Sequence, residues 1–474
     1  MKPYSKLVAL TLFSLLSFSA AAEVIPAEGI FSDHMVLQRN TTVAIWGKAD
    51  GKVTIKTSWS DRTVVAKTDK NGRWMASVPT SEAGGPYEIT LSDGKGSDCV
   101  IKDVLLGEVW FCSGQSNMVM PMKGFEGQPV GGAIEKVLAA KPSRNIRMFN
   151  VGRQALPEPA EKLKSGMWKL NTPENVGSCS AVAYMFADYL ENFLEVPVGI
   201  VTCAWGGSLI CAWMDDAPLK GTVKKQLHHS PSYLYNGMVA PLIPFTFAGE
   251  IWYQGESDRD KNDPFGAAER YQENFGKYVA ETRAKFRNPD MPVYFVQIAP
   301  YKYSDAKGIS GSAIREAQEK CLDSVPGCWM ATTLDVGEEK VIHPAVKRPV
   351  ARRLAMLALE KTYGVKGLYA EAPRLSGFKV EDNVAVLEFS NAKMGLNPIS
   401  RDLSGFEIAG EDRVFHPAKA QVGKNRSSVK VSCDEVPAPV AVRYCFHNYA
   451  VGSLFNCYGT PVPPFRTDNW NDVK

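Results

Sequence analysis

A serine at the end of a long apolar run is the first place in this chain where chemistry is legible. Gly107-Glu108-Val109-Trp110-Phe111-Cys112-Ser113-Gly114-Gln115-Ser116-Asn117-Met118 begins as a buried strand and ends abruptly in small and polar residues. That arrangement puts the Ser116 hydroxyl at the mouth of a sheet, where a hydrolase keeps a nucleophile. The stretch is not a Gly-x-Ser-x-Gly elbow, because Met118 stands where that motif needs glycine. Taken alone, a serine after a strand is most often a helix cap.

Three further strand ends are expected at the same edge. Ile200 to Ala204 runs into Trp205-Gly206-Gly207-Ser208, and paired glycines let backbone N–H groups come close to a ligand. Gly249 to Tyr253 finishes in Gln254-Gly255-Glu256-Ser257-Asp258, where Gln254 has an amide N–H to offer a developing oxyanion. Glu256, with Asn117, is expected to orient its neighbours. A glycosidase would need a second carboxylate with a defined partner, and none is evident. Thr332-Thr333-Leu334-Asp335-Val336-Gly337 leads through Glu338-Glu339-Lys340 to Val341-Ile342-His343-Pro344. Pro344 can start a helix, which leaves the His343 imidazole on a loop within reach of a serine. His34, His228, His229, His416 and His447 lack a comparable setting.

The elements that must position these groups follow from pattern. From about 105 to 365, apolar runs of strand length (Val198 to Ala204, Phe247 to Gln254, Val293 to Ile298, Cys328 to Asp335) alternate with helical patterns at Cys179 to Glu195, Phe265 to Lys285 and Pro344 to Tyr363. Alternation of this kind predicts an α/β domain, a parallel sheet covered on both faces with ligands at the carboxyl ends of its strands. Residues 23–104 read as all-β, with short runs such as Val43 to Trp46 and Trp74 to Val78 between Gly, Asp and Asn turns. Residues 366–474 return to β texture, for example at Val384 to Phe389 and Val440 to Tyr444. The two β regions are expected to join in one accessory sandwich.

The whole chain sets outer bounds. At 474 residues it is long enough for two or three domains, and 45% hydrophobic with 22% charged residues is ordinary for a globular protein. A formal net charge of +3 with no Lys/Arg block gives no nucleic-acid surface. Residues 1–22 read as a secretory leader: Lys2 and Lys6, an apolar core from Leu7 to Phe18, and Ala20-Ala21-Ala22 as the cleavage site. The core is too short to span a bilayer comfortably, so an exported, periplasmic or extracellular protein without stable membrane insertion is expected. Of the ten cysteines, Cys321 and Cys328 form the best local pair, with Cys203/Cys211 and Cys445/Cys457 behind them. No zinc-type spacing appears, six histidines make a metal centre a poor expectation, and no cofactor is expected.

The order of these motifs resembles the sialate O-acetylesterase family of SGNH/GDSL-type serine hydrolases. Gly114 to Met118 ends a strand, and Trp205 to Gly207, Trp252 to Ser257 and Ile342 to Pro344 follow in turn. Ile30 to Gln38, Leu234 to Leu242, Ile314 to Gln318 and Pro464 to Asp468 are also similar to family segments, so the resemblance covers nearly the whole mature chain. It implies an SGNH-type three-layer domain and a serine carboxylic ester hydrolase that removes acetyl groups from sugar hydroxyls. It also implies Ser116 as nucleophile and His343 as base. The oxyanion hole would come from the N–H of Ser116, a glycine N–H of Gly206 or Gly207, and Gln254.

One position departs from that pattern. SGNH enzymes generally carry Asp three residues before the histidine, and here Lys340 stands there. Asp335 is the expected substitute, Glu338 and Glu339 are rivals, and a Ser–His dyad helped by backbone carbonyls is the alternative. Sialic acid esters are the default substrate, with acetylated xylan or xyloglucan close behind and a non-catalytic carbohydrate-binding protein as the contrasting class. A sialate carboxylate calls for an arginine, for which Arg315 is the candidate in a family-like segment. Trp205 and Trp213 are candidates for stacking on sugar rings, whereas Trp252 has core packing as an equal reading.

Overall fold

The structure is a computed structural model that describes residues 24–471 apart from Glu28, Ser97, Ser400 and Arg401. The expected leader, residues 1–22, lies outside the described residues.

The central sheet contains seven strands that matter for the site: β1 (Cys99–Gly114), β2 (Ile146–Asn150), β3 (Trp168–Lys169), β4 (Val198–Ala204), β5 (Gly249–Tyr253), β6 (Val293–Val296) and β7 (Cys328–Ala331). Their order is β3-β2-β4-β1-β5-β6-β7, all parallel except the short edge strand β3, which runs antiparallel to β2. Strand order reverses direction at β1, which is where an open α/β sheet binds its ligand.

Alternation along β1 shows how the two faces are covered. Val109 and Phe111 belong to one hydrophobic cluster, Trp110 and Cys112 to another, as a two-residue period requires. The first cluster takes in Tyr271, Phe275 and Val279 of α3 (Pro264–Lys285) and Ala313, Ile314 and Ala317 of α4 (Ser310–Ser324). The second takes in α2 (Ala181–Leu194) and α5 (Arg348–Lys361). This is the three-layer α/β arrangement. Ser180 caps α2 by accepting from the Ala183 N–H at 3.2 Å, and Asp263 followed by Pro264 starts α3. The helix α4 is an element that the sequence pattern did not reveal, and α5 starts at Arg348 rather than at Pro344.

β1 is sixteen residues long. Its first half pairs with Gly84–Ser92 and with Val36–Gln38, its second half with β4 and β5. The boundary expected at 104/105 therefore falls inside one continuous strand. The N-terminal strands share their core with α3 and α4, through Val43, Ile45, Trp74 and Leu91. The C-terminal strands form a separate core around Leu387, Phe389, Val429, Val442 and Tyr444. The two β regions, expected as one accessory unit, have distinct cores.

Among the described residues none of the three expected pairs, Cys321/Cys328, Cys203/Cys211 and Cys445/Cys457, forms a disulfide. Cys321 and Cys328 are packed as apolar side chains in the core, where burial pushes the Cys328 thiol up to about 12. Cys445 is buried and Cys457 exposed. Among the described residues no helix is long and apolar enough to cross a membrane.

Candidate active site

Register brings three of the predicted strand ends to one level. Gly114 of β1 lies beside Ala204 of β4 on one side and Tyr253 of β5 on the other. The residues that follow, Gln115-Ser116, Trp205-Gly206-Gly207 and Gln254-Gly255-Glu256, therefore leave the sheet together. Ser116 opens the one-turn helix α1 (Ser116–Val119) and is half-buried. It lines a pocket of about 440 Å³ with Gln115, Gly207, Leu209, His229, Glu256, Ser257, Arg259 and Ile342.

Close approach at this edge depends on two glycines. A Cβ on Gly114 (φ 135°) would fall 2.2 Å from the Tyr253 carbonyl oxygen, and a Cβ on Gly206 would lie 3.3 Å from Ser116 Cβ. Among the described residues the N–H groups of Ser116, Gly206 and Gly207 have no hydrogen-bond acceptor, so they are free to face a substrate oxygen.

Gln254 is not free in this way, which corrects its expected place in the oxyanion hole. It is fully buried, and its amide NH₂ donates to the Ser208 carbonyl at 3.0 Å and to the Asp258 carboxylate. Both amide hydrogens are spent, one on the loop that follows β4 and one on its own loop. Asp258 in turn accepts from the Ile210 N–H (3.1 Å), and burial pushes its carboxyl up to about 7.

His343 is tied to Ser116 through the residues next to each of them. The Asn117 amide donates to the Ile342 carbonyl (3.2 Å) and to Glu256 (2.6 Å), and accepts from Lys347 Nζ (2.5 Å). Asn117, Glu256 and Lys347 are all buried. Burial pushes the Lys347 amine down to about 7, and burial together with the Lys347 charge lowers His343. Among the described residues no hydrogen bond joins the Ser116 hydroxyl to His343. Catalytic contacts of this kind commonly tighten only with substrate bound.

None of the expected carboxylates meets the imidazole. His343 Nδ1 is instead 2.7 Å from Gln128 Oε1. Asp335 makes a bidentate ion pair with Arg353 (2.8 and 2.6 Å), whose guanidinium also donates to the Thr332 and Gly459 carbonyls. Glu338 accepts from the Ala345 N–H at 2.7 Å, and Glu339 pairs with Lys302 at 2.8 Å. Asp335 is thus a structural ion-pair residue. Asp335→Asn is expected to leave kcat/KM of the folded enzyme little changed. It should lower stability by about 2–3 kcal/mol, by leaving Arg353 with a buried, partly uncompensated charge. Urea unfolding beside steady-state kinetics checks both halves, and a kinetic loss without a stability loss would return Asp335 to the mechanism.

Two more expectations are corrected by burial. Arg315 is fully buried and donates to Ser312 Oγ at 3.0 Å and to the His447 carbonyl, so it joins α4 to the C-terminal region and faces no substrate. Trp213 is core, its indole N–H on Ser208 Oγ and its ring edge-on to the equally buried Trp252. Trp205 is half-buried and stacks on His228 with centroids 5.2 Å apart.

Sequence reasoning missed four residues of the site: Gln128, Lys347, His229 and Arg259. Arg259 lies one residue beyond the Gln254–Asp258 stretch, and reading that strand end one position further would have reached it. Its guanidinium lies 3.2 Å over the Tyr303 ring, with Nη1 on Ser310 Oγ (2.8 Å) and Nε on the Glu256 carbonyl (3.1 Å). Among the described residues no carboxylate pairs with it. A larger cleft of about 810 Å³, lined by Trp46, Trp74 and Met75, lies elsewhere and excludes Ser116; its charged groups pair among themselves, Lys48 with Glu161 and Arg73 with Asp69.

Comparison with known proteins gives consistent results. A family model described as carbohydrate esterase, sialic acid-specific acetylesterase, matches residues 106–357. The crystal structure of a carbohydrate acetylesterase from Xanthomonas citri superposes with a TM-score of 0.86 at 35% identity, covering 94% of this chain and 100% of that one. Sialate O-acetylesterase from Mus musculus is 26% identical, over 72% of this chain and 74% of its own length. The Homo sapiens sialate O-acetylesterase is 27% identical, over 72% of each.

Proposed function

The chain belongs to the carbohydrate esterase family of sialic acid-specific acetylesterases, and from that premise we propose that it deacetylates sialic acid O-acetyl esters with Ser116 as nucleophile and His343 as base. The supporting observation is the Asn117–Ile342 hydrogen bond, which holds the residue after Ser116 against the residue before His343 at the rim of one pocket. Ser116 Oγ attacks the acetyl carbonyl as His343 Nε2 takes its proton. The N–H groups of Ser116, Gly206 and Gly207 receive the developing oxyanion. His343 returns the proton to the departing sugar oxygen, and water then hydrolyses the acetyl-enzyme by the same steps.

Arg259 supports an acidic sugar. A half-buried guanidinium without a carboxylate partner, in the same pocket as Ser116, is suited to the carboxylate that sialic acid carries. Arg259→Ala is expected to raise KM for an O-acetylated sialoside by about 10- to 100-fold, with a much smaller effect on a neutral acetate ester. Equal losses on both would remove the carboxylate contact.

A second reading, an acetylated plant polysaccharide such as xylan or xyloglucan, draws on the Xanthomonas relative. It is more similar than the mammalian sialate enzymes (35% against 26% and 27%) and is described as a carbohydrate acetylesterase. Acetate release by the purified protein from O-acetylated sialoglycans, beside acetylated xylan and xyloglucan, separates the two. We further propose export from the cell, on the leader-like residues 1–22.

A further inference from the structure

We infer that Gln128 is the residue that orients His343, in the place a carboxylate holds in a Ser-His-acid triad. The inference rests on the Ser116–His343 reading above. Gln128 Oε1 accepts from Nδ1 at 2.7 Å. With the proton on Nδ1, the Nε2 lone pair is left for the serine hydroxyl, which is the tautomer a general base needs. The other carboxylates meet other partners: Asp335 meets Arg353, Glu338 the Ala345 N–H, Glu339 Lys302 and Glu256, through Oε1, Asn117.

The turn that carries Gln128 is built to hold still. Phe125 and Gln128 exchange backbone hydrogen bonds of 3.0 and 2.9 Å. Gly124, at φ 80°, passes so close that a Cβ there would lie 2.4 Å from the Gln128 carbonyl oxygen. Met122 and Lys123 donate their N–H groups to the Cys179 and Gly177 carbonyls, which anchors the turn to the segment before α2. The Phe125 ring meets the imidazole edge-on, centroids 5.2 Å apart. His343 is thus held by one hydrogen bond and one ring contact from the same four-residue turn.

An amide oxygen differs from a carboxylate in one respect that can be measured. It receives the Nδ1 proton but brings no negative charge to favour the imidazolium. The charged groups around His343 are Lys347, Glu256 and Glu338, the last two already hydrogen-bonded, with Arg259 in the adjoining pocket, exposed Glu126 on the Gln128 turn and Lys340 on its own loop. None supplies an uncommitted negative charge at Nδ1. The base therefore stays neutral, and active, to lower pH than a carboxylate-backed histidine would.

The test is the pH profile of kcat/KM on a small acetate ester for the wild type, Gln128→Glu and Gln128→Ala, with Ser116→Ala and His343→Ala alongside. Gln128→Glu is expected to keep activity at high pH and to move the acid limb up by about one unit or more, since an opposite charge now favours the imidazolium. Gln128→Ala is expected to lower kcat by about 100-fold with KM much less affected, as a misplaced base does. An unmoved acid limb in Gln128→Glu overturns the inference whatever Gln128→Ala does, and decides the matter alone if the Ala variant fails to fold. If Ser116→Ala or His343→Ala retains wild-type turnover, the Ser–His reading itself has failed. Full loss in those two beside an unaltered limb in Gln128→Glu would sink only the role of Gln128.

Discussion

Ser116→Ala is expected to lower kcat for acetyl-ester hydrolysis by about 10⁴- to 10⁶-fold and to leave the melting temperature within a degree or two of wild type. The kinetic size follows from what is left behind: an oxyanion site and a bound substrate without a nucleophile still accelerate hydrolysis by about 10³–10⁴ over water. The thermal size follows from position. Ser116 is half-buried at the pocket wall, and among the described residues its hydroxyl makes no hydrogen bond whose loss would strand a partner. Removing one exposed oxygen there costs the fold little. Steady-state kinetics and a thermal melt on one preparation check the pair. Turnover near wild type would remove Ser116 from the mechanism, and a large drop in melting temperature would recast it as a structural residue.

Gly114→Ala acts on the fold first. At φ 135° the new methyl would sit 2.2 Å from the Tyr253 oxygen and 2.7 Å from its carbonyl carbon, both backbone atoms of the neighbouring strand. Relief requires parting β1 from β5 where Gln115 N–H donates to that same oxygen at 2.9 Å. The expected loss exceeds about 4 kcal/mol, the range reserved for overpacking and strain at a special φ, ψ. Whatever folds should also turn over about 100-fold more slowly, because the shift is passed to Ser116 two residues on. Gly127→Ala is the control. It too has a positive φ (70°) but meets nothing within 4 Å, so it should cost only about 1–2 kcal/mol. Equal melting temperatures for the two variants would show that close approach at Gly114 is not what the glycine serves.

Legibility divided along the line between local and distant partners. The strand and helix patterns found β4 to the residue and α2, α3, β5, β6 and β7 within a few residues at either end, because two- and 3.6-residue periods are written locally. The convergence of Ser116, Gly206 and Gln254 on one edge was legible for the same reason. Helix α4 escaped because Ser310, Gly311 and Ser312 open it without an apolar signal. The side-chain partners were not legible at all. Gln128 lies 215 residues from His343, in a glycine-flanked turn with no pattern of its own. Gln254 carries the right group for an oxyanion, yet which way a buried amide points is decided by its acceptors, here Ser208 and Asp258. Asp335 had the right chemistry and proximity in sequence, but Arg353, eighteen residues further on, claims both oxygens.

The sixteen-residue strand β1 has a consequence for how this enzyme can be taken apart. An accessory domain joined by a linker can be excised, exchanged or moved to the other terminus without disturbing its neighbour. Here the same strand that ends one residue before the Gln115–Ser116 pair begins as a hydrogen-bonded member of the N-terminal β region, with Val36–Gln38 and Gly84–Ser92 as its partners. Removing residues 24–98 would expose both edges of the first half of β1 and open the core that α3 and α4 share with Val43, Ile45 and Trp74. The N-terminal region is therefore not a module but the stem on which Ser116 is mounted, and recombination of catalytic and accessory parts has no seam to use on that side of the molecule.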